Sequence, residues 1–220
     1  MKYYPKIHAP FKRDTSLPHH PLLIGIWSKP EFEYLEMRDW LFTEKLDGMN
    51  IAIEYTAPYT IDNGHSASVV PGKVVIHGRT SRSQVPEDLH QYLKNKFRPE
   101  VFERAGIKTD IILYGEGMGP RINGGGKYFR HPEFVLFDAM VGDWILLPED
   151  VSDVANKLGC ERAPIIGEGH LWNAIRMVRQ GLTSEYGDFE AEGIVAVPKV
   201  PLFNRAGERV ITKIKAKDFK

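Results

Sequence analysis

The sequence has one cysteine, Cys160, among 220 residues, so no disulfide can form within the chain. It has no net charge: 29 Lys and Arg offset 29 Asp and Glu. A protein held to nucleic acid by non-specific phosphate contacts is usually basic, so any such surface here must be local. No stretch approaches the roughly 20 apolar residues of a membrane-spanning helix, and the opening MKYYPKIHAP has no signal-peptide core. These absences together fit a cytoplasmic protein with no membrane partner. Histidines are present, yet there is no HExxH and no Cys/His cluster. His19 and His20 sit in a proline-rich stretch and read as surface residues. No Ser–His–Asp arrangement and no internal repeat is found.

What is there is an ordinary globular composition, 42% hydrophobic and 26% charged, which suffices for a sizeable core. Residues 1–39, rich in proline and aromatics, read as an irregular arm with one short helix beginning near Phe32. Leu41–Tyr55 reads as strand, KLDG turn and strand, and Lys73–Gly78 as another strand after an exposed loop over Thr56–Gly72. Pro86, Glu87 and Asp88 open a helix to about Phe97. Asp110–Tyr114 and Phe134–Ala139 read as buried strands. Pro148–Leu158 and Gly169–Gln180 read as amphipathic helices stopped by Gly159 and Gly181. Ile194–Val197 and Val210–Ile214 are the last strands. Strands outnumber helices and mix with them irregularly, which predicts an α+β class rather than a doubly wound sheet. No linker divides the chain, so a single domain over 1–220 is expected, with 1–39 as its arm.

The chemistry concentrates in a few short stretches. Thr43-Glu44-Lys45-Leu46-Asp47-Gly48-Met49-Asn50 puts a lysine between two acids at a strand end. It is either a solvated turn or a nucleophile. A nucleophilic lysine must lose its proton, which nearby positive charge favours and Glu44 and Asp47 oppose. The needed cations occur at the far end, where Lys213, Lys215 and Lys217 recur at strand period on one face. Such a row keeps an edge strand soluble or binds phosphate. Glu116, in Tyr114-Gly115-Glu116-Gly117, and Glu192, in Ala191-Glu192-Gly193, each end or open a strand beside glycine. They are surface acids at turns, or they serve Mg²⁺, which takes one or two carboxylates plus substrate phosphates. Arg79 follows a strand in His77-Gly78-Arg79-Thr80 and suits either a surface ion pair or phosphate and sugar oxygens. Phe137 ends a core strand and could also stack on a base. Asn123-Gly124-Gly125-Gly126-Lys127 lacks the Ser/Thr of a phosphate loop and reads as a mobile loop, with Arg121, Lys127 and Arg130 as a local basic patch.

The order of these pieces carries more than any one of them. KLDG, GRT, YGE, FVLFD, EGIV and KIK, in that order, resemble the motifs of the covalent nucleotidyltransferases, which include RNA ligases, DNA ligases and mRNA capping enzymes. The resemblance spans about Trp40 to Phe219. Within it, Glu44, Lys45, Gly48 and Asn50 look like the first motif of the phage and trypanosome-editing RNA ligases; DNA ligases tend to carry arginine where this chain has Asn50. Gly119-Pro120, Ala163-Pro164-Ile165-Ile166-Gly167 and Lys213-Ile214-Lys215 through Phe219 look like the same branch.

That resemblance implies a nucleotidyltransferase (ATP-grasp-like) core, two packed antiparallel sheets with flanking helices and the nucleotide in the groove between them. It implies an ATP-dependent RNA ligase that joins 5′-phosphate and 3′-hydroxyl ends through lysyl-AMP, with Mg²⁺ or Mn²⁺. Lys45 is then the nucleophile, Glu44 lies where the adenine edge is met, Arg79 contacts the nucleotide, Glu116 the ribose and Phe137 the adenine face. Glu192 organises lysine and metal, Glu116 meets metal through water or nucleotide, Lys213 and Lys215 bind phosphate, and Asn50 sits near the metal. A DNA nick ligase shares the chemistry, a capping-type guanylyltransferase would prefer GTP, and a non-catalytic nucleotide- or RNA-binding relative is the reading from another class. Two departures stand out. Many relatives have lysine just before the proline closing the EG strand, where this chain has Val197, with Lys199 beyond Pro198. Relatives also carry a C-terminal OB or helical domain; none is expected here, so the chain is expected to do without one, to borrow a protein partner in its place, or to make those contacts through the N-terminal arm and the Thr56–Gly72 loop.

Overall fold

A computed structural model of the chain describes residues 3–64, 66–80 and 82–220. His65 of the expected 56–72 loop and Ser81 beyond GRT lie outside the described residues, as do the first two residues of the arm. In chain order the elements begin with β1 (Phe11–Arg13), β2 (Leu22–Trp27), α1 (Pro30–Leu35), β3 (Trp40–Lys45), β4 (Met49–Thr56), β5 (Tyr59–Asp62), β6 (Ala67–Val70) and β7 (Lys73–Gly78). Next come α2 (Glu87–Lys96), α3 (Pro99–Arg104), β8 (Ile111–Met118), β9 (Glu133–Val141), β10 (Trp144–Ile145) and α4 (Pro148–Leu158). The last are β11 (Glu161–Arg162), β12 (Ile165–Gly169), α5 (Leu171–Gln180), β13 (Gly193–Pro198) and β14 (Thr212–Lys215). Contacts group them into two compact units. Asp47–Arg162 with Tyr3 and Tyr4 form the first; Pro5–Leu46 and Ala163–Lys220 form the second.

The first unit is built on a six-stranded sheet of order β10-β9-β8-β4-β7, with β11 also paired to β9. All pairs are antiparallel except β11 with β9. Period-two alternation on β4 turns Ile51, Ile53 and Tyr55 to one face, where they bury against Leu89 and Leu93 of α2, Phe102 of α3 and Val151 of α4. Acids in the first turn of α2 and lysines in its last suit the helix dipole, and α4 ends at Gly159 in the left-handed conformation.

The second unit is built on a four-stranded sheet of order β12-β3-β13-β14. Trp40 and Phe42 of β3, Ile194 and Ala196 of β13 and Ile214 of β14 point to the face covered by α5. That helix contributes Leu171, Ala174, Ile175 and Val178, the spacing of a single apolar stripe. The intervening residues Thr43, Lys45, Val195, Lys213 and Lys215 therefore share the other face.

The α+β class and the main strands and helices agree with the sequence reading. The arm is more ordered than expected: β1 and β2 pair antiparallel, and Phe11 is buried at 1% exposure. The 56–72 stretch is a hairpin of β5 and β6, whose strands are exposed and so carry no inside–outside alternation. The sequence reading missed α3, β10, β11 and β12, elements of two to six residues, too short to show a period. Among the described residues no helix is long and apolar enough to cross a membrane.

One glycine is fixed by close approach. Gly193 has φ +150°, and a Cβ there would stand 1.9 Å from the Ile214 carbonyl oxygen on the neighbouring strand. Gly193→Ala should therefore separate β13 from β14. Chemical denaturation should show a loss of about 3 kcal/mol or more, above the range of ordinary substitutions.

Candidate active site

The register of β3, β13 and β14 sets Lys45 opposite Gly193 and Gly193 opposite Lys215. Directly opposed residues share a face, so the two lysines flank a position that has no side chain. Glu192 fills the space. Its Oε2 accepts from Lys45 Nζ at 2.5 Å and its Oε1 from Lys215 Nζ at 2.5 Å. All three side chains are half-buried, between 16% and 21% exposed, so solvent screens the pairs only in part. Two ammoniums on one carboxylate leave a net positive charge on this face. Lys213 extends it one pleat further, in the row Thr43–Val195–Lys213. Val197, in register with Leu41, adds no charge to the row; Lys199 is instead paired with Glu168 at 2.6 Å on the surface.

Glu44 goes the other way. It is on the core face of β3, 2% exposed, and its carboxylate accepts from Ser184 Oγ at 2.6 Å and from the Glu185 backbone N–H at 2.9 Å. Burial holds its carboxyl above the usual carboxylate range, against these two hydrogen bonds. The structure does not bring the Glu44 carboxylate to the Lys45 face; it fastens the 184–186 loop beneath the sheet. Ser184 has no sequence signature, since one hydroxyl in the polar stretch TSEYGD looks like any other.

In the first unit, Asn50 and Glu116 lie directly opposite each other on β4 and β8. Asn50 Oδ1 is buried without a hydrogen-bond partner among the described residues. Phe137 occupies a β-bulge: Tyr114 pairs with Asp138 and Gly115 with Leu136, so Phe137 is the extra residue on β9 and its side chain is re-aimed. It packs on the Tyr4 ring with the ring planes 72° apart and the centroids 5.0 Å apart, and Tyr4 donates to Asp138 Oδ2 at 2.8 Å. Beside them Tyr114 has its phenol pushed up to about 12 by burial, Glu54 and Asp138. Arg79 follows the end of β7 and is exposed. Tyr4 was not foreseen, because an aromatic in a stretch without periodicity gives no sign of what it packs on.

The NGGGK stretch differs from the expected mobile loop. Gly125–Lys127 form a 3₁₀ turn, and Asn123 donates to the Gly48 carbonyl at 2.6 Å. A Cβ at Gly124 would stand 2.5 Å from Asp47 Oδ2, so a glycine lets this stretch close on the KLDG turn. Of the expected basic patch, Arg121 is 88% exposed and faces Asp88 at 3.7 Å.

A protein-family model described as RNA ligase matches residues 38–215. The chain belongs to the RNA ligase family. No curated protein matched it. Among solved structures it is similar to a lysine-to-methionine mutant of the Naegleria gruberi RNA ligase with AMP and Mn, at 16% identity and TM-score 0.60, covering 86% of this chain and 53% of that one. A lysine-to-alanine mutant of that ligase with ATP and Mn gives 15% identity and TM-score 0.62, covering 99% and 61%. The same ligase with PPi gives 16% and 0.59, covering 100% and 63%. At these identities the likeness shows a shared fold, the nucleotidyltransferase type of the RNA ligases. The chain spans less than two thirds of the length of those structures.

The Glu44 geometry has a pH signature. Because its folded pKa is raised, ionisation of Glu44 disfavours the fold; that penalty is absent below the unfolded value and grows as pH rises through the folded one. The stability of the native protein relative to Glu44→Gln should therefore fall as pH rises above the ordinary glutamate value, about 4, read by urea denaturation at each pH. A difference that rises with pH would show that the hydrogen bonds from Ser184 and Glu185 outweigh burial.

Proposed function

We propose that this RNA ligase family chain is an ATP-dependent RNA ligase that joins 5′-phosphate and 3′-hydroxyl ends through a lysyl-AMP intermediate on Lys45. The observation that carries the reading is the Lys45–Glu192–Lys215 cluster across Gly193. It leaves one lysine amine with a base in reach and a second cation beside it, on a face already positive. A triphosphate is the ligand such a face favours. Lys45 Nζ attacks the α-phosphorus; the N–P bond forms as the bond to the β-phosphate oxygen breaks, and pyrophosphate leaves. The ammonium must first give up a proton, and Glu192 Oε2 at 2.5 Å is the nearest base. Lys213 and Lys215 stabilise charge on the phosphoryl oxygens. AMP then passes to a 5′-phosphate, and a 3′-hydroxyl displaces it to seal the strand.

The other roles are Arg79 for the nucleotide, Glu116 for ribose hydroxyls, Phe137 for the adenine face and Asn50 near the metal. Re-aiming of Phe137 by its bulge supports a stacking role. Glu44 is proposed to serve the nucleotide through its strand position, since its carboxylate is engaged in the core. Among the described residues no group of three or more His, Cys, Asp and Glu could hold a metal. Mg²⁺ or Mn²⁺ is proposed as an ion held largely by substrate phosphates and water, with Glu192 as a protein contact and Glu116 reaching it through water or nucleotide; Asn50, whose buried Oδ1 has no hydrogen-bond partner among the described residues, would sit near the metal and its waters. When bound it would neutralise phosphate charge. The similarity to ligase structures solved with ATP and Mn supports these ligands. We also propose that residues 1–220 act as one adenylyltransferase domain with 1–39 as its arm, because neither compact unit is a continuous segment. A cytoplasmic setting, and a protein partner that helps hold RNA, belong to the same reading.

The test is a pulse–chase with ATP labelled at the α-phosphate, followed by nicked duplexes with RNA or DNA on the 3′ side. Label should enter the protein and leave as AMP with sealed RNA. Lys45→Ala should abolish labelling with the circular dichroism spectrum unchanged, and labelling retained in that variant would sink the mechanism. Lys215→Ala and Glu192→Gln should each slow labelling by about 10²-fold or more.

A further inference from the structure

The outer side of α5 carries a surface that adenylyl transfer does not use. With Leu171, Ala174, Ile175 and Val178 turned to the sheet, Trp172, Arg176 and Arg179 fall on the side away from it, four and three residues apart. Together with Met37, His170 and Gln180 they line a groove of about 590 Å³. No carboxylate is among the lining residues, and neither arginine is ion-paired among the described residues. In a chain whose charges sum to zero, this is a local positive excess. Trp172 is 36% exposed, and its ring is held before any ligand arrives. Phe11 and Trp27 pack on it with centroids 5.4 Å away, and its Nε1 donates to Glu36 Oε2 at 2.8 Å.

Two guanidinium forks beside a fixed indole match a particular ligand chemistry. Guanidinium groups bind phosphate oxygens in pairs, and an aromatic face stacks on any base. Carboxylates, which repel a polyanion, are absent from the lining. We propose that this groove binds a single-stranded stretch of the RNA substrate, with backbone phosphates on Arg176 and Arg179 and a base against Trp172. The inference rests on the RNA ligase reading. Because α5 covers the face of the sheet opposite Lys45, the groove is separated from the lysine row by at least a helix diameter, roughly 10–12 Å. It therefore holds RNA away from the ends being joined.

The experiment uses the full chain and a fluorescein-labelled oligouridylate longer than the roughly 4–16 nucleotides that comparable aromatic sites cover. Anisotropy titrations are run across a salt series, with covalent labelling by ATP followed in parallel. The double variant R176Q/R179Q should lose affinity on the order of tenfold or more, and its salt dependence should flatten by about one to two phosphate contacts. R176K/R179K should keep the salt dependence, and both variants should label at Lys45 as the native chain does. Unchanged affinity and salt dependence in R176Q/R179Q would overturn the proposal, and so would a native chain that does not bind the oligonucleotide; a groove made for a protein would give the first of these results. Failure of the native chain to label at Lys45 would sink the ligase reading instead, while the titration still reports on the groove.

Discussion

Two lysines side by side on one face of a sheet repel each other unless something anionic stands with them, and Glu192 is what stands between Lys45 and Lys215. The local design of the second unit follows from that one carboxylate. It needs room beside both amines, and the row provides it by having no side chain at Gly193, where the strands approach so closely that a Cβ would overlap the Ile214 carbonyl. It needs the amines on the same face, which the antiparallel register of β3, β13 and β14 ensures. It also needs a reverse face that is mainly apolar, so that the lysine side stays outward; Trp40, Phe42, Ile194 and Ile214 under α5 supply this. The cluster is neutralised only by half. A single carboxylate against two ammoniums, with Lys213 one pleat away, keeps the face selective for anions without a bound ligand to hold it together.

The strand that carries Lys45 shows how period two sorts neighbouring acids. Glu44 and Lys45 are adjacent in sequence, yet one is buried under the sheet and the other is on the opposite face. An acid next to a nucleophilic lysine would hold its proton in place; turning Glu44 to the core removes that side chain from the lysine's face. The cost is a buried carboxylate, offset by Ser184 and the Glu185 N–H. Asp47, on the other side of Lys45, is approached by the Gly124 backbone, and Gly48 is fastened by Asn123.

This explains what could be read from the sequence. That Lys213 and Lys215 share one face was legible because it depends on strand periodicity, which is written locally; that Glu192 reaches both Lys45 and Lys215 was not, since strict alternation from Gly193 would turn it to the other face. Legible in the same local way were α4 and α5, whose apolar stripes and stop glycines are continuous stretches. What was not legible depends on partners far along the chain. Glu44 is 140 residues from Ser184, and Tyr4 is 134 from Asp138. Asn123 is 75 from Gly48, in a stretch whose glycines looked like freedom and in fact permit close packing. The Phe137 bulge was also hidden, since FVLFD reads equally well as a regular strand.

Zero net charge is usually taken to count against a protein that handles nucleic acid. Here the sum conceals segregation. The acids Glu192 and Glu44 are each used up by specific donors, Glu36 is engaged by the Trp172 indole, and Glu168 by Lys199. Positive groups are left in excess at two places in one unit: the lysine row on one face of the four-stranded sheet, and the arginine pair of α5 above the other. A screened solution averages charge only over about a Debye length, roughly 8–10 Å, so a polyanion meets these patches and not the total. The lysines form a row beside a base, suited to point contacts with a reacting triphosphate; the arginines flank a fixed indole, suited to a strand that only has to be held. In the proposed reading, the residue types divide the two surfaces between chemistry and grip.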